Sequence, residues 1–199
     1  MRVRGIIGRT IGIALLAGAG LSLAAGNHPA HAERGADTLF SSLLEKKQKP
    51  APARDVGPNQ ADRVVVYKGK RELVLMRDGR VLKKYWVSLG FTPRGHKKQE
   101  GDGKTPEGVY TIDKRKPRSQ FYKALHIDYP NDKDKEQAAA RGVSAGGELY
   151  IHGLGHTVAW MGAAHVLTDW TAGCIALTNR EMDELWAAVP DGTPIEIRP

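Results

Sequence analysis

The chain has 199 residues, of which 41% are apolar and 7% aromatic, with a formal net charge of +8 and one cysteine. That length implies one domain with appendages, and the apolar share is enough for a mostly aliphatic core. A lone cysteine excludes a disulfide within the chain, and basic residues scattered in short groups (Lys83-Lys84, Lys97-Lys98, Lys114-Arg115-Lys116 with Arg118) read as a solvated face, not a nucleic-acid surface.

Residues 1–32 have the pattern of a secretory signal peptide: Arg2, Arg4 and Arg9, an apolar small-residue run over 10–23, then Ala30-His31-Ala32 as an Ala-x-Ala cleavage pattern. An uncleaved anchor is the alternative. On both readings the rest of the chain works outside the cytoplasm, in the periplasm or cell envelope. Its basic groups could then be drawn to an anionic envelope. Exported proteins use cysteines in disulfide pairs, so a single one is a free thiol, an intermolecular link or a buried bystander. Residues 33–61 read as a tether, with a weak helical pattern over 38–48 and then Pro and Gly spacing that ends any regular element. The folded domain is expected over 62–199.

Short strands follow. Val64-Val65-Val66-Tyr67 is β-branched and aromatic, and the strands predicted over 72–76 and 80–89 flank Asp78-Gly79, a strong hairpin signal. Residues 90–104 make a Gly-rich, charged loop. Strands are predicted over 109–112 and 124–129, then a polar helix over 132–141 closed by Gly142, then a strand over 147–152 that ends on His152. Thr178-Asn179-Arg180-Glu181 matches a capping box, and Met182, Leu185, Trp186 and Val189 share one helix face. A last strand covers 193–197. The fold class is mainly β with one or two short helices packed on it.

Two segments carry chemistry. Thr171-Ala172-Gly173-Cys174 holds the thiol, and Ile151-His152-Gly153 holds an imidazole at a strand end. An acyl-transfer cysteine needs a base to make thiolate. The Gly153 carbonyl is free to turn onto the His152 ring and fix its tautomer, and the amides of Gly173 and Cys174 could face an oxyanion. A thiolate held low by a neighbouring imidazolium is expected. Taken singly, Cys174 as a buried hydrophobe and His152 as a satisfied strand-end histidine are the commoner readings; together, in an exported chain, they favour catalysis. His156 and His165 are rival bases. His152 and His156 have helix-type metal spacing, but the glycines at 153 and 155 argue against a helix, so neither a metal nor another cofactor is expected.

Ile151-His152-Gly153 with Thr171-x-Gly173-Cys174-Ile175 resembles the L,D-transpeptidase catalytic domain, also called the YkuD domain. Residues 103–108, the helix after the cysteine and residues 192–197 agree with it further, so the resemblance covers roughly 63–199. It implies a β-sandwich-like fold, peptidoglycan stem peptides as substrate, Cys174 as nucleophile, His152 as general acid/base, Gly153 as its orienting carbonyl, and Gly173 and Thr171 among the orienting and oxyanion group. It also implies a thioester passed to an amine, as in wall cross-linking or protein attachment. Two positions depart from the pattern. Ala172 stands where many members have His, and Ala176 where many have Arg or Asn, which removes a substrate contact. Ala at 176 resembles a branch that includes a hydrolase releasing lipoprotein from peptidoglycan, so the acceptor could be water and an envelope lipoprotein a partner. The loop over 154–170, with Trp160, Met161 and Trp170, is expected to shape the substrate cleft. The chain is expected to act as a monomer.

Overall fold

The computed structural model describes residues 59–199. The leader expected over 1–32 and nearly all of the tether expected over 33–61 lie outside the described residues. The elements are β1 (Arg63–Tyr67), a 3-10 turn at Lys68–Lys70, β2 (Glu72–Arg77), β3 (Arg80–Trp86), β4 (Gly108–Ser119), β5 (Tyr122–Ile127), helix α1 (Asp132–Ala139), β6 (Leu149–His152), a kinked 3-10 segment at Ala159–Leu167, β7 (Ile175–Ala176), helix α2 (Asn179–Ala188) and β8 (Thr193–Arg198).

The strands form one sheet in the order β3-β2-β1-β8-β4-β5-β6-β7. The β2–β3 hairpin closes at Asp78 and Gly79, whose φ angles of 50° and 73° are those of a mirror-image turn. The sheet curls. Past the end of β3, Ser88 bridges to Ala176 and Gly90 to Thr171, so the two edges of the sheet meet. Four backbone hydrogen bonds make that seam: Ser88 N–H to Ala176 O, Ala176 N–H to Ser88 O, Thr171 N–H to Leu89 O, and Phe91 N–H to Thr171 O. Joining the edges removes the unpaired backbone that an open sheet exposes. The sandwich expected from the sequence is thus a single continuous sheet bent on itself.

Its concave side holds the core. Val64 and Val66, Leu73 and Leu75, Ile112, Leu125 and Ile127, Ile151, Ile175, Ile195 and Ile197 are all buried there. Burying each such side chain stabilises by about 1.5–3 kcal/mol. Helix α2 adds Met182 and Leu185, both fully buried. The capping box is present: Glu181 N–H donates to Thr178 Oγ1, and Thr178 N–H to Glu181 Oε2. At the other end, Arg115 donates to the carbonyls of Trp186 and Val189 and stacks over the Trp186 ring, satisfying carbonyls that the helix leaves open.

Strand β4 runs seven residues beyond its predicted end at Ile112, because 113–119 is charged and carries no apolar alternation. Tertiary pairing with β5 makes it a strand despite that. Strand β5 lies two residues earlier than predicted: Tyr129 leaves the sheet and buries its ring, donating its hydroxyl to Ala145 O at 2.9 Å. Helix α1 stops at Ala139, and Gly142, at φ 68°, closes the turn beyond it.

Candidate active site

Strands β6 and β7 run parallel, with Ile151 beside Ile175 and His152 beside Ala176. Cys174 therefore lies abreast of Tyr150, one position before the pair of buried isoleucines. Side chains alternate faces along a strand. Ile151 and Ile175 point into the core, which sends Tyr150, His152 and Cys174 to the other face. There they line one cleft of about 420 Å³ together with Lys116, Arg118, Ser119, Gln120, Phe121, Ala124 and Glu148. One register row crosses its floor: Lys116 pairs with Ala124, Ala124 with His152, and His152 with Ala176. The small Ala124 leaves the space between a cation and the imidazole.

The His152 ring is fixed on several sides. Its Nδ1 lies 2.7 Å from Gly153 O, and a carbonyl only accepts, so Nδ1 carries the proton and Nε2 is left as a bare base. Phe121 stacks on the ring at 4.5 Å and Trp170 meets it edge-on at 5.9 Å. Burial pushes the imidazole below its ordinary pKa, against the pull of the Gly153 carbonyl. Gly153 is required by space. A Cβ there would fall 2.6 Å from Asn179 Oδ1, the atom that accepts the Leu154 N–H.

The cysteine loop is tied by one hydroxyl. Thr171 Oγ1 donates to Cys174 O at 2.7 Å and accepts the Gly173 N–H at 3.1 Å. Gly173 has φ 140°, and a Cβ on it would fall 2.7 Å from Lys104 O. The residue is held there by a close approach that no side chain allows. Its amide is occupied by Thr171 Oγ1, which corrects the expectation that it faces an oxyanion. The thiol lies 3.8 Å from Glu148 O. Burial pushes its pKa up, and the Tyr150 amide and the Lys97 charge oppose this only in part. Desolvation disfavours both charged forms, the direction opposite to the thiolate and imidazolium expected from the sequence.

The rival histidines sit elsewhere. His156 is exposed. His165 is fully buried, with Nδ1 2.9 Å from Ser88 Oγ. Because the Ser88 hydroxyl donates to His165 O, this Nδ1 must be the donor in that contact. His165 thus anchors the 154–170 segment to the seam beside β7. Asp169 anchors its end, accepting from Arg71 and from the Leu89 N–H. Trp160 stands 81% exposed, its indole donating to Thr157 O, and is not among the cleft-lining side chains. Trp170 packs on His152 instead of lining the cleft.

The sequence reading did not single out Lys116, Phe121, Glu148 and Tyr150 for the site. Tyr150 was accessible to it, since it stands two positions before His152 and a strand places it on the same face. Lys116 and Phe121 arrive from the β4–β5 arm through pairing across the sheet, for which the sequence carries no local signal, and Glu148 stands at φ 52° just before β6.

The arrangement offers a thiol, a base of fixed tautomer and an open cleft, the parts of a cysteine acyl-transfer centre. The "Putative L,D-transpeptidase YafK" of Escherichia coli (strain K12) is 35% identical over 97 residues, 48% of this chain and 32% of that protein. The chain thus spans about a third of the length of the curated relatives it matches. Among solved structures, the helical cell shape determining protein Pgp2 from Campylobacter jejuni superposes with a TM-score of 0.51 at 26% identity, covering 68% of this chain and 46% of that one. Its K307A mutant superposes with a TM-score of 0.53 at 24% identity, covering 82% of this chain and 56% of that one. The family model for the YkuD domain, the L,D-transpeptidase catalytic domain, matches residues 61–197. With that match over most of its length, the chain belongs to the YkuD family of L,D-transpeptidase catalytic domains.

Proposed function

We propose that this chain is an exported, cysteine-dependent L,D-transpeptidase acting on peptidoglycan stem peptides. The observation that carries the reading is the shared cleft of Cys174 and His152, with the His152 proton held on Nδ1 by Gly153 O so that Nε2 is the free base. Burial favours the neutral thiol, and His152 Nε2 takes its proton as sulfur attacks the donor carbonyl. The tetrahedral oxyanion is met by the Cys174 amide; the Gly173 amide joins only if it exchanges its bond to Thr171. The imidazolium then gives its proton to the departing amine of the terminal residue, leaving a thioester on Cys174. An incoming amine loses a proton to His152 and takes the acyl group, restoring the thiol.

Water in place of the amine makes the same centre a hydrolase. Ala176 favours keeping this second reading, because its methyl brings no polar group to hold an acceptor. Incubating the purified chain with muropeptides and resolving the products by mass spectrometry separates the outcomes. New cross-linked species mean transfer, trimmed stems mean hydrolysis, and unchanged peptides mean that the domain binds without reacting. Export has its own check: the mature chain recovered from the envelope begins near Glu33, and a full-length species confined to the cytosol contradicts it.

A further inference from the structure

The cleft contains one cation with no partner. Lys116 is held by Glu148 Oε2 at 3.1 Å and by the Tyr150 hydroxyl, which itself donates to Glu148. That trio is internally balanced. Arg118, two positions along β4, also lines the cleft, and among the described residues its side chain has no hydrogen bond or ion pair. The side chains lining the cleft therefore carry one surplus positive charge, and it sits on a guanidinium, whose planar fork matches a carboxylate.

The backbone shows how Arg118 reaches this position. In the β4–β5 ladder, Lys116 pairs with Ala124 and the next pair is Ser119 with Tyr122. Three steps on β4 face two on β5, so Pro117 and Arg118 together oppose Lys123. This is a β-bulge, and Pro117, with no N–H to donate, occurs at such breaks in a ladder. Its consequence is that Arg118 and Ser119, neighbours in sequence, both line the cleft, although a regular strand would send them to opposite faces. Bulges re-aim side chains beside active sites. On the far side of the row, Ala176 contributes only a buried methyl.

We infer that Arg118 is a specificity-determining residue that binds a carboxylate of the acyl donor while Cys174 attacks. This rests on the peptide-donor reading proposed above. The carboxylate could be the C-terminal one of the donor or one on a side chain of its acyl portion.

Two measurements on the purified chain test the inference. The first compares alkylation of Cys174 by iodoacetate and by iodoacetamide at low ionic strength, which differ in charge and need no peptide substrate. Arg118→Gln lowers the iodoacetate-to-iodoacetamide rate ratio about twofold, the size of a partly screened charge, and Arg118→Lys restores most of it. The second compares stem-peptide donors with all carboxylates free, with the C-terminal one amidated, and with the side-chain one amidated. Arg118→Gln lowers kcat/KM about tenfold on the free donor, and the loss shrinks on whichever amidated donor lacks the partner of Arg118, which identifies the carboxylate. An unchanged alkylation ratio overturns the proposal, and so does a tenfold loss that is equal on all three donors. If wild type turns over no donor, the peptide-donor reading fails instead, and the alkylation ratio alone still decides whether Arg118 presents an anion site.

Discussion

At the scale of single residues, the site depends on two hydrogen bonds to backbone oxygens. His152 donates to Gly153 O, which leaves Nε2 as the unprotonated ring nitrogen, and Thr171 donates to Cys174 O, which sets the loop under the sulfur. Replacing His152 with Ala is expected to lower turnover by about 10²- to 10⁴-fold, the usual share of general acid–base catalysis. It also slows thiol alkylation at neutral pH, and the two proteins converge only above the thiol's own pKa, which burial holds higher than the ordinary 9.0. A variant that keeps neutral-pH alkylation and turnover removes His152 from the chemistry. Thr171→Val keeps the shape and deletes the hydroxyl, leaving Cys174 O and the Gly173 N–H without this partner. It is expected to cost about 1–3 kcal/mol of stability and to depress kcat more than it raises KM. Steady-state kinetics and urea midpoints check both. Cys174, His152 and the Gly153 carbonyl were legible in the sequence because their signals are local: one thiol, a strand end, a glycine. The occupied Gly173 amide was not, since the Thr171 hydroxyl could have pointed elsewhere. The desolvation that disfavours both charged forms was not legible either, because burial is a tertiary property.

Among the elements, the strands with clean alternation and the helix with a capping box were readable, and the charged one was not. Thr178 and Glu181 announce the start of α2 from sequence alone. Thr178→Ala is expected to cost about 1 kcal/mol, read as a lower urea midpoint with unchanged slope. A null effect would mean that packing of Met182 and Leu185 alone holds the helix end. The outer half of β4 is the contrary case. Its Lys, Arg and Pro residues argue against a strand, yet it pairs with β5 and delivers Lys116 and Arg118 to the cleft. The two residues of β7 were likewise invisible, being too short to show a period and held in place by β6 and Ser88. The 154–170 segment reads as a loop, and its 3-10 turns and its anchor through His165 to Ser88 appear only once the sheet has curled.

For the molecule as a whole, curling is what joins β3 to the cysteine loop, and it buries two imidazoles in the process. His152 and His165 are both pushed below the ordinary value of 6.5 by desolvation. The unfolded chain takes up protons at that value while the folded chain refuses them, so stability is at its full value above pH 6.5 and falls as pH drops below it. The carboxylates held below their ordinary range, such as Asp102 beside Lys97, keep their contribution down to more acidic pH. The urea midpoint is therefore expected to fall between pH 7.5 and pH 5, before carboxylate titration begins. A midpoint flat over that interval would contradict the burial of the two rings as neutral groups.

The central claim is that the acyl group passes through sulfur at position 174, and intact-mass spectrometry of a quenched reaction tests it most directly. The chain is mixed with a stem tetrapeptide donor in the absence of any amine acceptor, acid-quenched and weighed, then digested to place the adduct. A species heavier by the mass of the donor less the departing terminal amino acid is expected, mapped to Cys174 and absent in Cys174→Ala. Turnover of the same donor by the Cys174→Ala chain, or an adduct carried on any other residue, would contradict it.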